Sequence, residues 1–281
     1  MLRVVRHTDP EAFLAAAAPM HARGEASASI FTSGAHAIKR SPPREGERLY
    51  LATCAAAGFL GAALQRDEGP LIVGASDAEA ARAFADDFAT QWSELKGVMG
   101  ALAPAQAFAH RWRDHTGCAH ALRVHLRQHK LTTVAALPPV PGAMRNADES
   151  DLGWLIDAQI AFLDEARMPD TPEHVRAWLP KRVAREEVRV WEDGGPVAFA
   201  GFNGAAPEMA RIAPVYTFPA HRQRGYATAL TAALSRELLA RGKRAIFLTT
   251  DVANPTSNAI YARIGFRAEN DDYHFDFVAA P

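Results

Sequence analysis

Cysteine is almost missing from this chain of 281 residues: only Cys54 and Cys118 occur, far apart and without Cys-x-x-Cys or Cys/His ligand spacing. That excludes a disulfide framework and a zinc centre, and a reducing cytoplasm is the expected setting. An excess of one charge is missing too. The 31 Lys and Arg stand against 32 Asp and Glu, for a net charge of -1, so no global field draws the chain to nucleic acid or an anionic membrane, and any anion site must be local. Long apolar runs are absent: "LYLATCAAAGFLGAALQ" is the longest charge-free stretch, is shorter than the ~18 residues needed to cross a bilayer, and reads as paired strands. The opening "MLRVVRHTDPEAFLAAAAPM" places Asp9 and Glu11 before its alanines and lacks the apolar core of a secretory signal. The 11 histidines include no HExxH pair, so no metal is expected, and those between His110 and His129 read as surface or interface residues.

The pattern of what is present divides the chain. "LPPVPGAM" marks a boundary, giving residues 1–136 and 144–281 as domains and 137–143 as a linker. In the second part "AMRNAD" reads as a strand, and "ESDLGWLIDAQIAFLDEARM" and "TPEHVRAWLPKRV" as helices. Three β-rich runs follow, "EVRVWEDG", "GPVAFAGFNG" and "MARIAPVYTF", the first turning at Asp193-Gly194-Gly195. Ala227, Leu230, Leu234 and Leu238 then recur at helical spacing up to Gly242, "RAIFLTTD" supplies a strand parallel to the one before the helix, and "NPTSNAIYARIG" a last helix before "FRAENDDYHFDF". The first part echoes this order with "RLYLATCAAAG", "FLGAALQRDEG", "PLIVGAS", "DAEAARAFADDFATQW", "ELKGVMGAL", "PAQAFAHRWRDHTG" and "AHALRVHLRQHKL". That points to an internal duplication in which His110 stands where the second part has Tyr261. The basic residues of the last of these strands are expected on a wet face.

One corner carries chemistry. In "VYTFPAHRQRGYATALTAAL" a strand stops at Pro219, His221, Arg222 and Arg224 crowd together, and Gly225 opens a helix. A helix N-terminus offers unpaired N–H groups and the positive end of its dipole, so a glycine there lets a phosphate rest on the main chain. Neither the Walker pattern nor Gly-x-Gly-x-x-Gly is present, and a solvated basic turn is the plain alternative. The corresponding corner of the first part, "VGASDAEA", is acidic.

With its neighbours the corner resembles the GNAT superfamily of acyl-CoA-dependent N-acetyltransferases. Its hallmark Arg/Gln-x-x-Gly-x-Gly/Ala appears as Arg222-Gln223-Arg224-Gly225-Tyr226-Ala227. A second feature, Asn-x-x-Ser-x-x-x-Tyr-x-x-x-Gly-Phe, appears at Asn254, Ser257, Tyr261, Gly265 and Phe266. The likeness covers roughly residues 140 to 277. It implies a tandem α/β (α+β) fold: two GNAT-like domains, each a mixed, mostly antiparallel twisted sheet flanked by helices, with a splayed parallel strand pair at the cofactor site and the first domain degenerate. It also implies that Val215, Tyr216 and Thr217 line the pantetheine of acetyl-CoA, and that Arg222 to Thr228 hold its diphosphate, with Asn254 and Ser257 nearby. Tyr261 would be the acid that protonates the leaving thiolate.

The spacing places Asn254, Ser257, Asn258 and Tyr261 on one helical face, opposite Ile260 and Ile264. A phenol suits a developing sulfur anion because it can both donate to it and protonate it. For the base that deprotonates the amine, Asp164, Glu165, Glu208 and Asp251 are candidates, none favoured. The expected activity is acetyl transfer to a primary amine by direct attack, by a monomer or homodimer with no nucleic-acid or membrane partner. A non-catalytic acyl-CoA sensor and an ATP-binding protein are the other readings.

Overall fold

The computed structural model describes residues 2–43, 46–66, 69–168, 170–203 and 207–278. Their contacts fall into two compact units that are not contiguous in the chain. One is formed by described residues of 1–129, 249–255 and 268–281, the other by those of 130–248 and 256–267.

In the first unit the chain runs β1 (Arg3–Arg6), α1 (Pro10–Ala17), α2 (Glu25–Arg40), β2 (Leu49–Ala55), β3 (Phe59–Arg66), β4 (Leu71–Ala75), α3 (Ala78–Ala89), β5 (Gly97–Gly100), α4 (Leu102–Thr116) and β6 (Ala119–Leu131). Local chemistry sets the helix ends. Asp9 and Asp77 accept the Ala12 and Ala80 N–H groups at 2.9 and 2.8 Å, and Gly117, at φ +75°, closes α4 in the left-handed conformation that a side chain would resist. The strands are buried on both faces. On one, Tyr50, Ala52 and Cys54 of β2 meet Phe84, Phe88, Phe108 and Trp112 of α3 and α4; on the other, Leu51 and Leu64 meet Phe13, Phe31 and Ile38 of α1 and α2. Strands β4 and β5 are parallel, with Val73 opposite Gly100. β1, α1 and α2 had no counterpart among the elements read from the sequence.

The second unit contains β7 (Ala143–Asn146), α5 (Leu152–Glu165), α6 (Pro172–Ala184), β8 (Val188–Glu192), β9 (Pro196–Asn203), β10 (Met209–Thr217), α7 (Tyr226–Ala240), most of β11 (Ala245–Asp251) and most of α8 (Pro255–Ile264). Its strands lie in the order β11-β10-β9-β8-β7, antiparallel except for β10 with β11. The Asp193-Gly194-Gly195 turn works as expected: both glycines take positive φ, +69° and +148°, and Asp193 N–H bonds to Gly195 O at 2.9 Å. Leu230, Leu234 and Leu238 of α7 bury onto β9 and β10 through Ala198, Ala200 and Ile212, while α5 and α6 cover the other face through Leu155, Leu163, Val175 and Leu179.

The linear division at 137–143 is not how the contacts fall. The last strand, β12 (Arg267–Val278), pairs antiparallel with β5, placing Phe275 opposite Val98, and from Ala268 it belongs to the first unit, whereas residues from Lys130 belong to the second. Long-range strand pairing overrides order along the chain. The wet face expected for β6 also needs correcting. His129 is buried with its Nε2 2.9 Å from the Thr250 hydroxyl, and Arg127 and His125 both engage Asp271, whose carboxyl they hold down at about 2.

Phe275 is 5% exposed and sits in the first unit's aromatic core. Phe275→Ala should therefore cost about 3–5 kcal/mol, and limited proteolysis of the variant should cut first between residues 1 and 129. Initial cleavage within 144–248 would contradict this assignment of β12.

Candidate active site

Strand β10 pairs with β11 only from Met209 to Arg211, opposite Ala245 to Phe247. Its register against β9 then shifts between Ile212 and Val215, around a proline that has no N–H to give, and β10 continues to Thr217 beside β9 alone. The parallel pair thus splays at its C-terminal end. Side chains alternate there: Val215 packs toward α7 and α8, and Tyr216 toward α5 among Phe162 and Phe199. The Thr217 hydroxyl oxygen is buried and has no protein partner.

Beyond Thr217 a single turn, Pro219–His221, leads into the corner. Gln223 takes φ +63° and Gly225 φ +85°, so the chain enters α7 through two left-handed residues. At Gly225 a Cβ would be strained and would lie 3.3 Å from Val140 Cγ2. No side chain caps α7, and its first-turn N–H groups have no intrahelical acceptor. The helix is held at both ends by other means. Tyr226 donates its hydroxyl proton to Asp193 Oδ2 at 2.5 Å, which pushes the phenol above its ordinary value. Near the C-terminus the fully buried Arg189 donates to both oxygens of Glu237, at 3.0 and 2.6 Å, and holds that carboxyl low.

The two arginines of the corner differ. Arg222 donates through Nη2 to both Glu165 oxygens at 2.8 Å and through Nε to Thr217 O at 3.1 Å, and its guanidinium lies 5.4 Å from the Tyr216 ring centre. The Tyr216 hydroxyl donates to the same carboxylate at 3.0 Å. Arg222 and Tyr216 together keep Glu165 below the usual carboxylate range. Arg224 is exposed, and among the described residues no carboxylate pairs with it.

Tyr261 on α8 is half-buried against the cluster that contains Tyr226, Leu230 and Val215, with its ring edge-on to Phe266 at 5.8 Å. Burial pushes its phenol up to about 12. Ile260 and Ile264 pack on the same cluster, so Tyr261 shares the inward face with them and does not oppose them as the spacing suggested; four-residue and three-residue steps from Ser257 reach Tyr261 and then Ile264. Asn254 is exposed and belongs with the first unit, whereas Ser257 lies with Tyr261 in the second. Of the base candidates, Asp164 and Asp251 are exposed, Glu208 pairs with Arg244 at 3.4 Å, and Glu165 is occupied as above. Two residues with structural weight at this corner, Asp193 and the anchoring role of Glu165, carry no local signal; Asp193 read only as a turn residue.

Residues 155–266 match the model of the acetyltransferase (GNAT) family. That match spans less than half of the chain and lies within its second part. At the level of the whole chain, the fold is similar to that of solved GNAT proteins. A GCN5-related N-acetyltransferase from Sphaerobacter thermophilus is 16% identical, with 99% of this chain and 95% of that one covered and a TM-score of 0.63. A GNAT-family acetyltransferase from Colwellia psychrerythraea is 14% identical, covering 99% of both chains, with a TM-score of 0.58. A tandem GNAT protein from the clavulanic acid biosynthesis pathway is 14% identical over 100% of this chain and 99% of that one, with a TM-score of 0.58. No curated protein matches the sequence. The fold is thus similar to a tandem of GNAT-like units, with the family match in the second, and no described helix is long and apolar enough to cross a membrane.

The Arg222–Glu165 pair gives a pH signature. Because the folded-state carboxyl lies below its ordinary value, its contribution is complete above that ordinary value of 4.5 and fades as pH falls toward the depressed one. Both partners are close to half exposed, so it is worth about 0–1 kcal/mol. Thermal unfolding should show a small deficit for Glu165→Gln at pH 7 that shrinks as pH falls below 4.5; a deficit independent of pH would contradict the pairing.

Proposed function

We propose that the second unit transfers an acetyl group from acetyl-CoA to a primary amine by direct attack, with Tyr261 as the general acid. The observation that carries this reading is the uncapped N-terminus of α7, entered through Gln223 and Gly225 at positive φ beside a splayed strand end. A diphosphate needs several convergent donors, and the main chain of Arg222 to Thr228 supplies them without a buried cation. Arg224 adds charge from solvent. Arg222 takes a different part: tied to Glu165 and to Thr217 O, it holds the strand end and the corner in register. The free edge of β10 at Val215, Tyr216 and Thr217 faces the pantetheine, and the unpartnered Thr217 hydroxyl suits one of its amides. Asn254 and Ser257 lie at the start of the helix that carries Tyr261.

In the reaction the neutral amine forms a bond from nitrogen to the thioester carbonyl carbon, and the carbon–sulfur bond breaks. The departing thiolate takes the Tyr261 proton while the ammonium nitrogen loses one to solvent or to a base from the acceptor's surroundings. A phenol at about 12 is fully protonated across the working range. Its hydroxyl has no protein partner among the described residues, and so remains available to sulfur.

Two measurements test this. Tyr261→Phe should keep acetyl-CoA affinity within about twofold while losing roughly 10²–10⁴ of the turnover with an amine panel; unchanged turnover would remove Tyr261 from the mechanism, and acetyl-CoA binding without transfer by wild type would favour a sensor. Gly225→Val should weaken acetyl-CoA binding by about tenfold or more, because a β-branched residue resists φ > 0 and crowds Val140. Retention of full affinity would place the diphosphate elsewhere.

A further inference from the structure

The first unit repeats the strand-helix corner with different chemistry. Helix α3 follows β4 as α7 follows β10, but Asp77 fills its N-terminus with a carboxylate, bonded to Ala80 N–H at 2.8 Å and to the Ser76 hydroxyl at 2.9 Å. A diphosphate would meet like charge there. The strand edge is covered as well: a Cβ on Gly74 would lie 2.5 Å from Met20 Cε and 2.8 Å from the Phe31 ring. Acyl-CoA therefore lacks both its anion cradle and its pantetheine edge in this unit.

A cavity of about 180 Å³ remains at the C-terminal end of the β4–β5 pair, walled by Phe31, Ile72, Met99 and Ala101 and closed by Asn270 and Asp271 of β12 among its lining residues. A cavity of about 150 Å³ holds a benzene molecule, so this one has room for a single ring with a short substituent. Its polar wall is the Ser27 hydroxyl together with Asn270, Asp271 and Asp272 of β12, in which acceptors predominate. Asn270 Oδ1 is buried and has no protein donor. Asp271 is held by Arg127 at 2.7 and 2.8 Å and by His125 at 2.9 Å, and Asp272 accepts from the Gln128 amide at 2.8 Å. Glu269, next in line, accepts the Ala26 N–H. An occupant that brings N–H donors and no negative charge suits this wall best.

We propose that this cavity binds a small primary amine with a short apolar or aromatic body, as a ligand site of the first unit in its own right. An ammonium carries three donors, one of which meets Asn270 Oδ1, and it brings no negative charge toward Asp271 and Asp272. The apolar walls take the body. With no acyl-CoA corner beside it, the amine is bound there and not acetylated.

The probe is benzylamine, titrated into the full chain labelled with ¹³C at the methionine methyls. Met20 and Met99 line the cavity, while Met144, Met168 and Met209 lie in the second unit. Saturable shifts of Met20 and Met99, at least about tenfold weaker with toluene and absent with benzoate, are expected. Asn270→Ala should weaken binding about tenfold, and Ala101→Leu, which fills the mouth from an exposed position, should abolish the shifts while circular dichroism stays native. Shifts confined to the second unit's methionines, equal response to toluene or benzoate, or no shift at millimolar benzylamine would overturn the proposal. The wild-type titration decides it without either variant.

Discussion

The corner from Arg222 to Thr228 depends on where the first turn of α7 points, and that is fixed by polar anchors at the two ends of one helix. Tyr226 reaches the β8–β9 turn through Asp193, and Glu237 is gripped by the buried guanidinium of Arg189 on β8. Between them the leucines of α7 bury onto β9 and β10. Apolar packing alone sets the distance of a helix from a sheet but resists sliding and rotation weakly; two directional contacts at opposite ends remove those freedoms. The unpaired N–H groups that would meet a diphosphate are then positioned by elements far from them, and the helix needs no side-chain cap to be stable. A cap would compete for the same N–H groups, which is what Asp77 does on α3.

Arg222 shows how a motif residue can serve its site indirectly. Its charge is neutralised by Glu165 and its Nε is committed to a main-chain carbonyl, so what it contributes to the corner is geometry, with Tyr216 stacked beneath. The same contact links the end of α5 to the end of β10. This leaves Glu165 poorly suited to be a base, since its lone pairs are occupied and its proton affinity is lowered.

Much of this was legible in the chain. Strand alternation, the Asp-Gly-Gly turn, and the Arg222-to-Ala227 and Asn254-to-Phe266 spacings are local signals, and they located the strands of the second unit, its helices and the corner. What was not legible is long-range. The spacing around Ser257 and Tyr261 does not say which face of α8 turns inward, because apolar and polar residues are interleaved on it. The basic alternation of β6 looks like a solvent face until Asp271 and Thr250 arrive from more than a hundred residues away to bury His129 and pair Arg127. The proline-rich stretch at 137–143 punctuates the chain without separating its compact units.

The place of β12 has a consequence for biogenesis. Val98 and the aromatic cluster of α3 and α4 are complete only when Phe275 is in register. A nascent chain that has already emitted its first 130 residues must hold an open sheet edge beside β5 until the last strand leaves the ribosome, while the contiguous core around β8, β9, β10 and α7 can close earlier. The first unit is therefore begun first and completed last. During that interval the exposed β5 edge is where strand addition by another chain, or capture by a chaperone, would compete with the native partner.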